Sequence, residues 1–192
     1  MRTALFLLFA SACLKPVPVP QAAQPTDVAV IYALGLYESG EVEAMPDHVQ
    51  ERVTEELEAR NLVPATMPAP ANFASVREPG ARLATIQGAR SPVLLVSCDP
   101  RFDTQVNGRF RWSVDCDVAL ASPDLDDGLI VDTLDAAAHP VYYHQREAAA
   151  VSEVSALLAR KVGNVLDQWL AVRTTAAPPA PARVPKAPRM AP

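Results

Sequence analysis

Asn107-Gly108 stands between two runs of alternating apolar and polar residues, and no other feature of the chain restricts its fold as much. Asn-Gly between such runs is a strong hairpin signal, because both residues tolerate the positive φ that tight turns need. On the second run Phe110, Trp112, Val114, Cys116, Val118 and Leu120 are apolar, whereas Arg111, Ser113, Asp115 and Asp117 are polar. The first run carries Leu94, Val96, Cys98 and Phe102 on the same parity. Opposed residues of an antiparallel pair share a face, so paired numbers must add to an even total. A two-residue loop breaks that condition unless a bulge follows. A three-residue loop, Val106 to Gly108, meets it, with Gly108 as the bulge residue of positive φ and Gln105 opposite Arg109.

Carried outward at a constant sum, this register sets Cys98 opposite Cys116. Opposed Cα atoms lie about 4.5 to 5.5 Å apart, within disulfide reach. The expectation is a Cys98–Cys116 bridge formed in an oxidising compartment. Two buried free thiols are the alternative. Two thiolates with no nearby histidine make a poor metal site.

Proline marks the limits of the folding unit. Of 19 prolines, four fall within residues 15–25 and six within residues 178–192. Between these flanks Val28 to Leu34 reads as a buried strand. Pro46-Asp47 opens a helix whose apolar positions are Val49, Val53 and Leu57, with Asn61 at its end. Leu62 to Met67 is a short strand interrupted by Pro64, and Ala81 to Gln87 a short helix. After the hairpin, Ser122 to Gly128 turns the chain into a strand from Leu129 to Ala136. Val151, Val154, Leu158, Val162, Val165, Trp169 and Val172 recur at helical spacing and mark a long final helix.

The expected fold is therefore α+β. A mixed sheet of about four to five strands follows the order β-α-β-(α)-β-β-β-α, with the helices packed on one face. This order resembles the α/β domain shared by the TolB N-terminal domain, the lipoprotein activators of penicillin-binding proteins and the curli-secretion lipoproteins. In that group a helix beginning near a proline follows the first strand. A segment like Ala81-Arg-Leu-Ala-Thr-Ile to Ser91-Pro-Val-Leu-Leu-Val96 then enters the third, and a long terminal helix packs on the sheet. The likeness spans residues 27–172 and brings no functional residue with it.

At the N-terminus Met1-Arg2 is followed by an apolar stretch, Ala4 to Ala10, and then by Ser11, Ala12 and Cys13, the order of parts of a secretory signal. Phe9-Ala-Ser-Ala-Cys13 resembles a bacterial lipobox, which implies a signal peptide over residues 1–12, diacylated Cys13 as mature N-terminus, and a proline-rich linker over 13–26. Cleavage after Ala10-Ser-Ala12, releasing a soluble periplasmic protein, is the competing reading. Leu14, with no Asp there, fits the outer-membrane sorting of the enterobacterial lipoproteins it resembles, the domain facing the periplasm. Acyl chains on Cys13 would supply stable anchoring at about 0.8 kcal/mol per buried methylene.

Charge separates the domain from the tail. Residues 14–172 hold 12 basic and 22 acidic residues, whereas residues 173–192 hold four basic residues and no acid. An acidic domain is not a nucleic-acid binder. The Pro/Ala-rich segment 173–192 reads as disordered. Its Arg183, Lys186 and Arg189 recur every three residues, one turn of polyproline II, and could meet an anionic polymer.

None of the common catalytic or nucleotide motifs is present. His139-Pro-Val-Tyr-Tyr-His144 is the densest group of functional side chains and reads as a strand-to-helix connection. Asp124, Asp126, Asp127 and Gly128 outline a calcium loop without its closing Glu and read as a polar turn. No catalytic residue, metal or cofactor is assigned. The expected function is a non-enzymatic envelope lipoprotein that binds an envelope protein as adaptor, activator or assembly factor. A structural subunit of a secretion or transport apparatus and an enzyme with an unrecognised site are the alternatives.

Overall fold

The computed structural model describes residues 25–39, 41–68, 79–139 and 146–176. The N-terminal signal and Cys13, the segment 140–145 and the tail beyond residue 176 lie outside the described residues. The strands are β1 (Thr26–Gly35), β2 (Val42–Glu43), β3 (Leu62–Met67), β4 (Val93–Val106), β5 (Arg109–Ala121) and β6 (Leu129–Ala138). The helices are α1 (Asp47–Glu58), α2 (Pro79–Ala84) and α3 (Arg146–Ala176). This is the mixed α+β architecture expected, with the two-residue β2 as an addition that no hydrophobic period could announce.

β1 lies inside the sheet. It runs parallel to β3 on one side and to β4 on the other, and its last residues pair antiparallel with β2. β4, β5 and β6 complete the sheet as an antiparallel meander. Val28, Val30, Tyr32 and Leu34 face α1 and α3, while Ile31 and Ala33 face the opposite side. Burial on both faces explains why β1 is continuously apolar rather than alternating. β3 sits at the edge, where Pro64, lacking an N–H, can be accommodated.

α1 buries Val49, Val53 and Leu57, one residue per turn, and Asn61 stops it with a φ of +58°, the left-handed conformation that asparagine tolerates after a helix. α3 buries Val151, Val154, Leu158, Val162, Val165 and Trp169 over the meander. Val172, expected on that face, is 38% exposed, because the apolar stripe has already turned off the sheet. The helix runs to Ala176, past the expected domain boundary at Val172; no proline intervenes before Pro178. The hydroxyls of Thr174 and Thr175 donate to the carbonyls of Leu170 and Ala171.

Two expectations are corrected. The hairpin loop has two residues, not three: Asn107 (φ +51°) and Gly108 (φ +75°) form the turn and Val106 pairs with Arg109. The extra residue that parity demands is Asp103, bulged between Phe102 and Thr104. Consecutive positive φ values give a turn whose twist matches the strands, so the irregularity is displaced into the ladder. Beyond the bulge Cys98 faces Cys116, and the two are disulfide-bonded within the main core. The helices also do not share one face. α1 and α3 cover one side, but Leu83 of α2 and Ile86 just after it pack on Ile31, Ala33, Leu95, Ala119 and Ala121 of the other.

Arg60 clamps the end of α1 to α3. Its guanidinium donates to both carboxylate oxygens of Asp167, at 2.7 and 3.0 Å, and to Glu56 at 2.7 Å. A Cβ on Gly163 would lie 2.9 Å from Arg60 Nη2, so glycine admits this crossing without displacing the clamp. Hydrogen bonding from Arg60 holds the Asp167 carboxyl below its ordinary value.

Removing the bridge by Cys98→Ala with Cys116→Ala is expected to lower the unfolding free energy by about 3 kcal/mol, the loop-closure entropy for a link of this span. Urea unfolding of the wild type with and without reductant checks it. For Asp167 the folded pKa lies below the unfolded one, so its contribution is complete above the unfolded value and disappears as pH falls through the folded value. Asp167→Asn should therefore cost at most about 1 kcal/mol near neutrality, discounted for the exposure of this carboxylate, and nothing once both states are protonated. Unfolding curves across acid pH test this.

Candidate functional site

β5 and β6 expose, on the side away from α1 and α3, a surface that α2 reaches only in part. Odd-numbered residues of the meander point there. Val131 is 42% exposed, and Thr133, Asp135 and Ala137 are exposed beside it. Pairing sets Asp99 opposite Asp115 and Asp115 opposite Asp135, so three carboxylates cross three neighbouring strands in one row. Asp117 follows two residues along β5, opposite Ser97 and Thr133. Like charges directly opposed across a sheet repel, which makes this row a cost to stability.

Two arginines offset it incompletely. Arg101 reaches Asp99, itself buried, at 2.9 Å and Asp115 at 3.9 Å. Arg82, brought over the sheet by α2 and only 6% exposed, donates to Ser97 Oγ at 3.2 Å and lies 3.3 Å from Asp117. Among the described residues its Nε has no hydrogen-bond partner. Burial holds the Asp115 carboxyl above its ordinary value; Arg101 opposes this, and Asp135, Asp99 and Asp117 add to it. The face thus sets these four carboxylates against Arg82 and Arg101, while Arg111, on the same side of β5, is paired with the bulged Asp103 at 3.3 Å.

A second concavity, of about 440 Å³, lies at the C-terminal end of β1 and is lined by Leu34, Glu38, Glu41, Glu43, Arg146 and Glu147. Glu147 Oε1 accepts a hydrogen bond from the Tyr37 amide at 2.9 Å, and Arg146 pairs with Glu38 at 2.8 Å. These contacts tie the start of α3 to the loop after β1.

Cys98 and Cys116 occupy the core rather than a surface. His139 directly follows β6 and its amide donates to Glu153, while Tyr142, Tyr143 and His144 lie outside the described residues. Asp124 is paired with Arg173 at 3.3 Å in the turn between β5 and β6, and that turn closes through Ser122 N to Gly128 O. Among the described residues no group of three His, Cys, Asp or Glu side chains is placed to hold a metal ion. Nor is any described helix long and apolar enough to cross a membrane. Cys13, Arg183, Lys186 and Arg189 lie outside the described residues.

The carboxylate row was missed from sequence, although part of its signal was present. The register that opposes the two cysteines also opposes Asp99 to Asp115, one position along each strand. Asp135 required the β5–β6 register, which the long turn between them hides.

No family model matches the chain, and no curated protein matches it. Solved structures to which it is similar include bacterial lipoproteins. Rare lipoprotein B from Shewanella oneidensis is 11% identical over 78% of this chain and 97% of its own, with a TM-score of 0.36. PelC from Paraburkholderia phytofirmans, solved as a dodecamer, is 19% identical over 77% of this chain and 90% of its own, with a TM-score of 0.35. A minor lipoprotein from Acinetobacter baumannii is 13% identical over 78% of this chain and 89% of its own, with a TM-score of 0.30.

Arg82→Ala should destabilise the domain by about 3 kcal/mol, because it leaves the half-buried Asp117 without its cation. The paired change Arg82→Met with Asp117→Leu should fall closer to wild type than Arg82→Ala does, since an ion pair at this depth contributes little over an apolar replacement. Chemical denaturation of the wild type and these two variants checks the order.

Proposed function

We propose that this chain is an envelope lipoprotein, anchored through Cys13, whose domain binds another envelope protein and catalyses no reaction. The observation that carries the reading is the order of the N-terminal residues: a basic start, an apolar stretch and small residues directly before Cys13. The Cys98–Cys116 bridge supports an oxidising compartment, because cytosolic thiols are kept reduced. Leu14 in place of an acidic sorting residue favours the outer membrane, with the domain on the periplasmic side.

The adaptor role is favoured by the resemblance to the TolB, penicillin-binding-protein activator and curli-secretion group, and by surfaces suited to a protein partner. Among the described residues β3 and β6 each have a single strand neighbour, and Val63 and Met67 are exposed along β3. An envelope protein with an extended segment could add to such an edge.

Expression in a bacterium, intact-mass analysis and membrane fractionation of wild type against Cys13→Ala test the anchor. The expected result is a lipid-sized mass increase and membrane recovery in the wild type, both lost in the variant. Unmodified soluble protein in both cases would overturn the reading. A monomer after lipid removal fits an adaptor, whereas a stable large oligomer would favour a structural subunit of an envelope apparatus.

A further inference from the structure

We propose that the exposed face of β5 and β6 is the docking surface for the chain's own basic tail, with Lys186 seated among Asp115, Asp117 and Asp135 and Arg183 preceding it toward the β5–β6 turn. The inference does not depend on the lipid anchor.

Charge is the first argument. The face sets four carboxylates against Arg82 and Arg101, its third arginine, Arg111, being paired with the bulged Asp103, and among the described residues Asp135 of the cross-strand row makes no ion pair. Beyond Ala176 the chain carries Arg183, Lys186 and Arg189 and no acidic side chain. The internal segment 69–78, another possible occupant, carries one arginine and one glutamate and so offers no net attraction.

Reach is the second. Arg173, in the last turn of α3, contacts Thr26 at the start of β1 and Asp124 in the β5–β6 turn, so the tail departs from that end of the sheet. From the turn, Asp115 and Asp135 are six residues along β5 and β6, which is about 20 Å at strand rise. Passing from the helix layer to the far face adds roughly 10 Å, the spacing of packed layers. Ten residues separate Ala176 from Lys186. A proline-rich segment advances about 3.1 Å per residue, giving about 31 Å against about 30 Å required. Arg183 falls about 9 Å short of that point, alongside Asp117. The surface is also of the right kind for such a ligand: Val131 and Ala137 offer apolar patches to proline rings between the carboxylates.

Zero-length carbodiimide coupling of the full-length protein in mild detergent, mapped by mass spectrometry, tests the contact without any substitution. The chain's lysines are Lys15, Lys161 and Lys186, so tail couplings are unambiguous. Lys161, 2.8 Å from Asp132, serves as internal control for fold and reagent. Lys186 is expected to couple to Asp115, Asp117 or Asp135 within one chain, with a yield unchanged on dilution. That yield should fall at least about fivefold near 1 M salt, where the Debye length is about 3 Å. Three results would overturn the proposal: Lys186 uncoupled while Lys161–Asp132 forms, Lys186 spread over remote acids such as Glu51 and Asp126, or links that join isotopically distinct chains and fade on dilution. The last would make a second copy the occupant.

Discussion

β1 is buried on both faces, and that single circumstance organises the domain. A strand with no solvent on either side must satisfy every backbone N–H and C=O through neighbouring strands. β3 and then β2 serve its outer side and β4 its inner side. Parallel neighbours cannot be joined by a tight turn, so the connection to β3 must cross over, and α1 is that crossover. Its Val49, Val53 and Leu57 join Val28, Val30 and Tyr32 in the main core on that side of the sheet. α3 completes the same layer beside α1, and the Arg60–Asp167 clamp holds the two together at the surface, where ion pairs contribute modestly.

The opposite face is unequally covered, and the charges follow that inequality. Above β1 and β4 the surface is apolar and takes Leu83 and Ile86. Toward β6 it becomes polar, and at the boundary α2 delivers a buried arginine instead of another apolar side chain. Arg82 is tolerable there because Ser97 and Asp117 lie opposite each other across β4 and β5 and meet it together. Further out, Asp99, Asp115 and Asp135 stand in one row across β4, β5 and β6, Asp99 buried at one end and Asp135 exposed at the other. A sheet selected only for stability would not align three acids across adjacent strands.

Legibility in the sequence followed the range of each physical signal. Strand parity reaches across a hairpin, so the opposition of Cys98 and Cys116 could be derived, as could the number of extra residues needed to preserve it. Where the extra residue sits depends on turn twist against ladder irregularity, and the choice of Asp103 over the loop leaves no mark in the apolar pattern. Helical periodicity exposed α1 and α3 together with their buried faces. It failed at Val172, whose spacing is correct but whose position lies past the end of the sheet beneath. The side taken by α2 was hidden because six residues carry too little periodicity to choose a face. Asp135 was hidden because register across the long β5–β6 turn is settled by tertiary packing.

The net charge of −5 is a sum over unlike parts, and their separation has a physical consequence. An acidic domain tethered to a basic segment of about 16 residues sees that segment at an effective concentration in the millimolar range, far above that of a free peptide. Even weak, salt-screened contacts can then be populated within the chain before any external anion competes. An anionic polymer would have to displace the domain's own carboxylates, and a basic partner of the sheet face would have to displace the tail. The same tether that makes the internal contact easy also makes it exchangeable, since proline-rich chain loses little further conformational freedom on binding and makes few directional hydrogen bonds. Occupancy of the face would therefore respond to ionic strength and to competing charge more than to temperature. The rigid core fastened by Cys98–Cys116 lies on the other side of the sheet and need not change when the tail comes or goes.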